Sequence, residues 1–379
     1  MNLATGTALL NPGPVLVTGT PTSSAVAGVM RAVEQARLGR VSVAGTTREV
    51  DLWLDEHRPA TIIVDAVGEA AEQACLHLRD NPMLAHVPIL GLVDRVSDLA
   101  FEELFGWGGD DLAVRGNDQM LARRLRQVAL AGDIPLSKRR GITVVADPDQ
   151  RRRVLTARVL RNAGYGVTFA LDADEAIRRA STEPVELVVS ASALEPTDGH
   201  SLASRARNAG VVAPWVVACA PKETARIRGA TVGQPRVAVY DAFGPPENLL
   251  FVANELMRGD VPDARASARL LYGTTVLFRA VGAEEDEIGY CYNLSGGGVY
   301  VRTLAPLARG TDAWLEMKPP RCNGRVRLEG KLVWTRGFGP NDAATVPPGF
   351  GIQISGGSTR DLERYARGYR AFAAEMLAP

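Results

Sequence analysis

Two short groups of residues in the last third of the chain carry side chains suited to binding an anionic ligand that bears a base. Arg265 and Arg269 are four residues apart, and their guanidinium groups match phosphate oxygens and guanine edges at any relevant pH. Asn293 and Ser295 follow about one hairpin later, with Gly298 after them. Their side chains can form hydrogen bonds in a turn, and glycine lets a backbone pass close to a ligand. Each of the two segments therefore carries groups that could contact a ligand.

The surrounding sequence predicts the strands that would position these residues. Residues 289–292 and 299–301 flank the second group and are rich in residues that favour strands. Further strands are predicted at 276–279, 310–316, 326–335 and 348–354, and a final helix is predicted from about Thr359. The first group precedes all of these strands, at the end of a linker, whereas the second lies in a turn between two of them.

Together the two groups resemble the PilZ domain, a family of bacterial cyclic di-GMP receptors. Members of that family carry an R-x-x-x-R segment and, downstream, [D/N]-x-S-x-x-G, which stand here as Arg265/Arg269 and Asn293/Ser295/Gly298. The resemblance covers residues 263–379. It implies an antiparallel β-barrel with a closing helix, and it implies cyclic di-GMP as the ligand of these five residues.

Each of the five residues also has a plainer interpretation. The chain is rich in arginine, so Arg265 and Arg269 could be ordinary surface residues. Asn293 and Ser295 could form only a hairpin turn, and Gly298 could serve only to allow a positive φ.

The composition limits the class of protein. With 379 residues the chain has room for two or three domains, and an apolar share of 46% is ample for packed cores. The 43 basic and 43 acidic residues give zero net charge, which argues against DNA or RNA as a partner. Four scattered cysteines indicate reduced thiols in a cytoplasmic protein. No apolar run approaches the roughly 18 residues needed to span a bilayer, so no membrane insertion is predicted.

Residues 13–130 alternate strand-like and helix-like segments, which predicts a doubly wound, flavodoxin-like parallel sheet. Asp65 ends the third predicted strand, at the carboxyl edge where such sheets place their ligands. The pattern resembles the receiver domain of response regulators, with Asp65 at the phosphoryl-acceptor position and 108–111 at the turn before the fifth strand.

The departures from that family indicate a degenerate receiver. A working receiver places an acidic pair after the first strand to hold Mg²⁺, but these positions are Gly19 and Thr20 here. Val93 replaces the family's Thr or Ser, and Arg115 replaces its Lys. Asp65 is therefore expected to lack most of the chemistry that phosphorylation requires.

Residues 140–260 predict a second receiver-like domain whose phosphorylation chemistry is lost. Its third strand ends in residues 190–192, which are Ser, Ala and Ser, so no carboxylate can accept a phosphoryl group. Asp147 alone remains of the acidic pair. Asp241 stands at the family's Lys position, and Cys219 stands at the Thr or Ser position as an expected buried thiol. The two domains together suggest an internal duplication in which the domain surfaces were kept and the phosphorylation chemistry was lost.

Docking is the use that the resemblance implies for such domains, through the face made by helix four, strand five and helix five. Phe101, Leu104, Phe105 and Trp107 crowd that part of the first domain. They could form an interaction patch for a protein partner or for a homodimer, or they could be ordinary core.

The sequence as a whole favours a cyclic di-GMP effector that is not an enzyme and needs no cofactor or metal. Ligand binding would order the linker at 259–263 and turn the barrel against the receiver-like domains, which would regulate a protein partner. Two alternatives remain, namely a response regulator switched by phosphorylation of Asp65 and a scaffold without a ligand. The four dispersed histidines show no metal-ligand spacing, and no acid–base pair or nucleophile motif points to an enzyme.

Overall fold

The computed structural model describes residues 13–131, 140–259, 267–339 and 346–377. These residues form two parallel α/β sheets followed by a closed antiparallel β-barrel with a C-terminal helix, as the sequence predicts. Arg265 lies outside the described residues, as does most of the predicted linker at 259–263.

The first sheet has helices on both faces. Its elements are β1 (Val15–Gly19), α1 (Ser23–Ala36), β2 (Val41–Ala44), α2 (Thr47–Glu56), β3 (Thr61–Asp65), α3 (Gly68–Asp80), β4 (Ile89–Val93), α4 (Asp98–Gly106), β5 (Asp111–Val114) and α5 (Asp118–Ala131). The strand order β2-β1-β3-β4-β5 is doubly wound, with its switch point between β1 and β3. Strands β1, β3 and β4 are almost wholly buried and apolar, because helices cover a parallel sheet on both sides.

The second sheet repeats this topology in the order β7-β6-β8-β11-β12. Its elements are β6 (Ile142–Ala146), α6 (Gln150–Asn162), β7 (Gly166–Ala170), α7 (Ala173–Thr182), β8 (Val185–Ala191), the short pair β9 (Ala193–Leu194) and β10 (Thr197–Asp198), α8 (Gly199–Asn208), β11 (Trp215–Cys219), α9 (Thr224–Thr231), β12 (Val237–Asp241) and α10 (Asn248–Arg258). Cys219 is buried at the end of β11, as expected.

The barrel closes in the order β13-β14-β15-β18-β17-β16. Its strands are β13 (Leu270–Ala280), β14 (Glu287–Ser295), β15 (Gly298–Arg302), β16 (Asp312–Met317), β17 (Val326–Arg336) and β18 (Gly349–Gly357), and helix α11 (Thr359–Met376) follows. Residues of β17 alternate between buried and exposed over most of the strand, which is the two-residue period of a sheet with one face on a core. Ser358 begins α11 as its N-cap, with its hydroxyl accepting from the Asp361 N–H at 3.1 Å.

Helix α4 of the first domain packs against the barrel and accounts for the candidate docking patch. Phe101, Leu104 and Phe105 are at most 3% exposed. The rings of Phe101 and Phe105 lie 5.1 and 5.6 Å from the ring of Tyr290 in β14, while Trp107 is half-buried. Three of the four residues are therefore core, and two of them form the contact with the barrel.

Polar contacts accompany this packing. The Asp98 carboxylate, at the start of α4, accepts hydrogen bonds from the N–H and the hydroxyl of Thr275 at 2.5 and 2.6 Å. One turn later, Glu102 accepts from the Tyr290 hydroxyl at 2.6 Å. Burial raises the pKa of Tyr290, and the Glu102 carboxylate raises it further, so the phenol stays a neutral donor.

A buried ionic cluster joins α5 to the barrel. The Arg124 guanidinium is fully buried and donates to Asp111 and Glu287, each at 3.0 Å, and to the backbone oxygen of Ile288 at 2.8 Å. The Asp111 carboxylate also accepts from the Leu304 N–H at 2.7 Å. Burial would lower the pKa of Arg124, but the two carboxylates raise it above its usual value.

A second buried cluster joins all three domains. Asp110 accepts from Arg79 at 2.9 Å and from Arg158 of the second domain at 2.6 Å. Glu247, before α10, pairs with Arg302 of the barrel at 2.9 Å and with Arg158 at 3.5 Å. Burial would raise the pKa of Asp110, but the two guanidinium groups lower it below its usual value. The barrel is thus docked on both receiver-like domains.

Candidate functional site

The predicted ligand residues line a cavity of about 520 Å³ on the barrel. A second cavity, of about 480 Å³, lies between the two receiver-like domains. Arg269, Asn293, Ser295 and Gly298 all line the barrel cavity. This volume is within the range of small-molecule sites. Four of the five sequence-predicted residues are therefore close together, and the fifth, Arg265, lies outside the described residues.

The segment before β13 holds Arg269 at the mouth of the barrel cavity. Arg269 is exposed and directly precedes β13. Two residues earlier, the Ser267 hydroxyl accepts from the Gly296 N–H at 2.9 Å, and the Ala268 carbonyl accepts from the Tyr369 hydroxyl of α11 at 2.8 Å. These two hydrogen bonds fasten the segment to the β14–β15 turn and to the closing helix.

Asn293 is the buried polar residue of the cavity. It lies in β14, is 5% exposed, and pairs with Leu271 of β13 and Tyr300 of β15. Its side-chain amide has no hydrogen-bond partner among the residues that the structure describes. The amide atoms are not closed off from solvent, so they border the cavity and can form hydrogen bonds with a ligand there.

The β14–β15 turn is held from below by α11. The Tyr365 hydroxyl donates to the carbonyls of Ser295 at 2.7 Å and Gly298 at 3.1 Å. Burial raises the pKa of Tyr365 well above its usual value, so it remains a donor. The Ser295 hydroxyl lies 3.5 Å from the Gly298 carbonyl, at the limit of a hydrogen bond, and is available to a ligand.

Gly298 is required for a reason other than the expected one. Its φ is not positive, so the interpretation based on a left-handed conformation is wrong. Instead, a Cβ at this position would lie 2.7 Å from the Ile352 carbonyl oxygen, which is too close for real atoms. The glycine therefore lets β15 approach β18 at the cavity wall.

Further residues that were not predicted also line the cavity, among them Tyr300, Trp334 and Gln353. The rings of Tyr300 and Trp334 lie 5.5 Å apart, and Gln353 is exposed beside them. Tyr300 donates to the Pro347 carbonyl at 2.7 Å, which fixes its ring. These residues are on β15, β17 and β18, and the sequence alone gave no sign that the barrel brings them to the Asn293 side.

The first receiver-like domain holds Asp65 in a closed arrangement. Asp65 is 1% exposed, accepts from Arg115 Nε at 2.6 Å, and accepts from the Thr22 N–H at 3.1 Å. Arg115 also pairs with Asp94 at 2.7 Å. The Arg115 guanidinium is thus already paired with the Asp65 carboxylate. A working receiver would instead hold a metal ion beside this carboxylate.

In the second domain the one remaining member of the acidic pair, which follows the first strand, is also bound by an arginine. Asp147 accepts both a 2.9 Å and a 2.8 Å hydrogen bond from Arg152, one turn into α6. Strand β8 ends without a carboxylate. Among the described residues no group of His, Cys, Asp and Glu could hold a metal ion, and no helix there is long and apolar enough to cross a membrane.

Comparison with known sequences identifies the barrel. The family model described as "PilZ domain" matches residues 263–369. That range contains both sequence motifs and the cavity that they line. Comparison with curated proteins gave no match.

Solved structures are similar to separate parts of the chain. The inhibitor of motility MotI/DgrA of Bacillus subtilis is 16% identical over 31% of this chain and 54% of that one, with a TM-score of 0.26, so this chain spans about half of its length. A signal receiver domain from Pseudomonas fluorescens Pf-5 is 17% identical over 33% of this chain and 93% of that one, with a TM-score of 0.29. The PilZ domain of CeSA from a cellulose-synthesizing bacterium is 13% identical over 28% of this chain and 98% of that one, with a TM-score of 0.22. The family match shows that the chain carries a PilZ domain at residues 263–369, which follows two receiver-like domains in the sequence.

Proposed function

We propose that this protein is a non-enzymatic, cytoplasmic cyclic di-GMP effector that binds its ligand through Arg265, Arg269, Asn293, Ser295 and Gly298. The observation that supports this best is that Arg269, Asn293, Ser295 and Gly298, which come from two separate segments, line one cavity. The cavity offers a cationic group and hydrogen-bonding groups, and a cyclic dinucleotide carries phosphates and base edges that match them.

Each group has a chemical role in this proposal. The two guanidinium groups bind phosphate oxygens and a guanine edge, because their planar forks match both. The Asn293 amide and the Ser295 hydroxyl form hydrogen bonds to the base. Tyr300 and Trp334 offer an apolar wall against which a base can pack.

Binding would be coupled to the arrangement of the domains. Residues 260–266 join α10, which packs on the second sheet, to the segment that carries Arg269. Each charge-assisted hydrogen bond to the ligand contributes about 1.5–3 kcal/mol, against about 1–2 kcal/mol of backbone entropy for each linker residue that becomes ordered. We propose that the ligand orders this linker and turns the barrel against the receiver-like domains. A protein partner that binds these domains would then sense the change.

The site is close to the contacts that such a turn must break. Asn293 lies on the same strand as Tyr290, whose hydroxyl binds Glu102, and as Tyr292, whose hydroxyl donates to the Glu247 carbonyl at 2.8 Å. A ligand that forms hydrogen bonds with Asn293 can therefore shift β14 relative to both receiver-like domains at once.

The alternative of a phosphorylation-driven regulator is less favoured. Asp65 is buried and already bound by Arg115, so a phosphoryl donor would have to displace that guanidinium. Acetyl-phosphate labelling that disappears in Asp65→Asn would support this alternative. If the protein neither binds cyclic di-GMP nor is phosphorylated at Asp65, the remaining interpretation is a scaffold without a ligand.

Isothermal titration calorimetry with cyclic di-GMP tests the proposal. We expect the native chain to bind with micromolar or tighter affinity, which corresponds to about 8 kcal/mol, and Arg269→Ala to bind roughly tenfold or more weakly. Arg309→Ala is the matched control, because Arg309 is exposed on the barrel and does not line the cavity. Equal losses in both variants, or no binding by the native chain, would contradict the proposal.

Small-angle scattering tests the coupling separately. We expect the scattering curve of the native chain to change when cyclic di-GMP saturates it. Binding without any change in the curve would leave the ligand site standing but would reject the reorientation of the barrel.

A further inference from the structure

The cavity of about 480 Å³ lies between the two receiver-like domains, at the carboxyl edge of the second sheet. Its walls come from α3 and α4 of the first domain and from α6 and the loop after β12 of the second. An ion pair between Glu72 and Arg151, at 2.7 Å, spans the two domains at its rim. The cavity therefore exists because the domains are packed together, and neither sheet would form it alone.

The floor of this cavity is mostly apolar. Val145, Leu155, Val189 and Ala218 line it. Tyr240, at the end of β12, lines it as well and is 5% exposed, yet its hydroxyl has no hydrogen-bond partner among the described residues. Burial raises the pKa of Tyr240, so the hydroxyl is neutral and able both to donate and to accept. Because the hydroxyl has no protein partner there and Tyr240 lines the cavity, a bound ligand can form a hydrogen bond with it.

The mouth of the cavity is negatively charged. Five carboxylates and two guanidinium groups line it. Both guanidinium groups are engaged, since Arg152 binds Asp147 at 2.8 Å and Arg151 binds Glu72. Glu103 is exposed at the mouth, and its carboxylate has no partner in the described part of the chain. The half-buried Trp107 stands beside it and presents an aromatic surface that favours cations.

We propose that this cavity binds a small organic cation that carries an apolar or aromatic ring. The ring lies on the apolar floor, a polar atom of the ring system forms a hydrogen bond with Tyr240, and the cationic group faces Glu103 and Trp107. The site is distinct from the barrel cavity and does not depend on cyclic di-GMP. Its occupant would contact both receiver-like domains and would strengthen their contact.

Two probes of equal shape and opposite charge test this on the full chain. Tryptamine carries an indole ring and an ammonium group, whereas indole-3-propionate carries the same ring and a carboxylate on a chain of the same length. By calorimetry we expect tryptamine to bind at one site per chain. We expect indole-3-propionate to bind about tenfold more weakly or not at all, because the carboxylates of the mouth repel it.

Two conservative variants connect the binding to the site. Glu103→Gln should weaken tryptamine binding about threefold to tenfold, and Tyr240→Phe should weaken it about threefold or more. Glu56→Gln is the matched control, because it removes one exposed carboxylate outside the cavity, and it should leave the affinity unchanged. Thermal unfolding of each variant confirms that the fold is kept.

Three results would overturn the proposal. These are the absence of tryptamine binding at millimolar concentration, equal affinity for the two indoles, and an affinity that neither Glu103→Gln nor Tyr240→Phe changes. Because cyclic di-GMP is absent from this titration, failure here leaves the function of the barrel cavity untouched.

Discussion

Replacing Arg124 with methionine should destabilise the contact between the first receiver-like domain and the barrel. The Arg124 side chain is fully buried, and so is its partner Asp111, while the Glu287 side chain is 8% exposed. Methionine keeps most of the volume but removes the charge that both carboxylates share. The variant therefore leaves two buried carboxylates without their guanidinium partner.

The magnitude follows from this arrangement. Arg124 forms hydrogen bonds to both carboxylates and to the backbone oxygen of Ile288. Removal of one partner from a buried ion pair costs about 3–5 kcal/mol. Asp111 keeps its hydrogen bond from the Leu304 N–H, which limits the loss. We therefore expect the free energy of unfolding to fall by about 3–4 kcal/mol, which is a large part of the total stability of a typical domain.

Urea denaturation followed by circular dichroism measures this loss, and Arg126→Met provides the control. Arg126 lies on the same helix but is exposed, so the same substitution there should change the stability by about 0.5 kcal/mol or less. Limited proteolysis should also cleave Arg124→Met faster between the domains than it cleaves the control. If the two variants lose equal stability, the buried cluster does not hold the barrel to the first domain.

Three further outcomes follow from the structure. Gly298→Ala should lower the stability of the barrel as well as ligand affinity, because its Cβ would lie 2.7 Å from the Ile352 carbonyl oxygen; a thermal shift measures the first effect and calorimetry the second. The lowered pKa of Asp110 stabilises the fold above its ordinary pKa of 3.8, and this contribution is lost as the pH falls below that value; urea midpoints should therefore drop more steeply in acid for the native chain than for Asp110→Asn. Burial raises the pKa of Cys75 to about 12, so Ellman's reagent should modify Cys322 in the native protein and all four cysteines only in urea. Rapid modification of Cys75 under native conditions would contradict the last of these.

Local sequence patterns predicted most elements of the fold. The helix predicted from about Thr359 is α11, which begins at that residue, and Asp65 ends the third strand as predicted. These signals are local, because apolar periodicity, caps and turn residues act within a few positions of one another. Strand β13 begins at Leu270, earlier than the predicted strand at 276–279, because its first residues pair with Leu294 and Asn293 across the barrel.

The candidate site was predicted in part for the same reason. Asn293, Ser295 and Gly298 are close in sequence, so their motif could be recognised without a structure. Trp334 and Gln353 line the same cavity, but they lie on β17 and β18, and only strand pairing brings them there, with Gln353 opposite Gly298. The reason for a glycine at position 298 could also be seen only in the tertiary structure, because the atom that excludes a side chain belongs to Ile352.

The sequence by itself determined the order of two α/β units and a barrel, the absence of an acidic pair at Gly19 and Thr20, and the motif that marks the barrel. Only the tertiary structure decided that Arg124 of α5 meets Glu287 of β14, and that Asp110, Arg158 and Glu247 join three domains in one buried cluster. These partners are more than 45 residues apart, and an arginine that will be buried has no local pattern that separates it from one on the surface. Their pairing follows from which faces the domains bury against each other, and that choice is made by the whole fold.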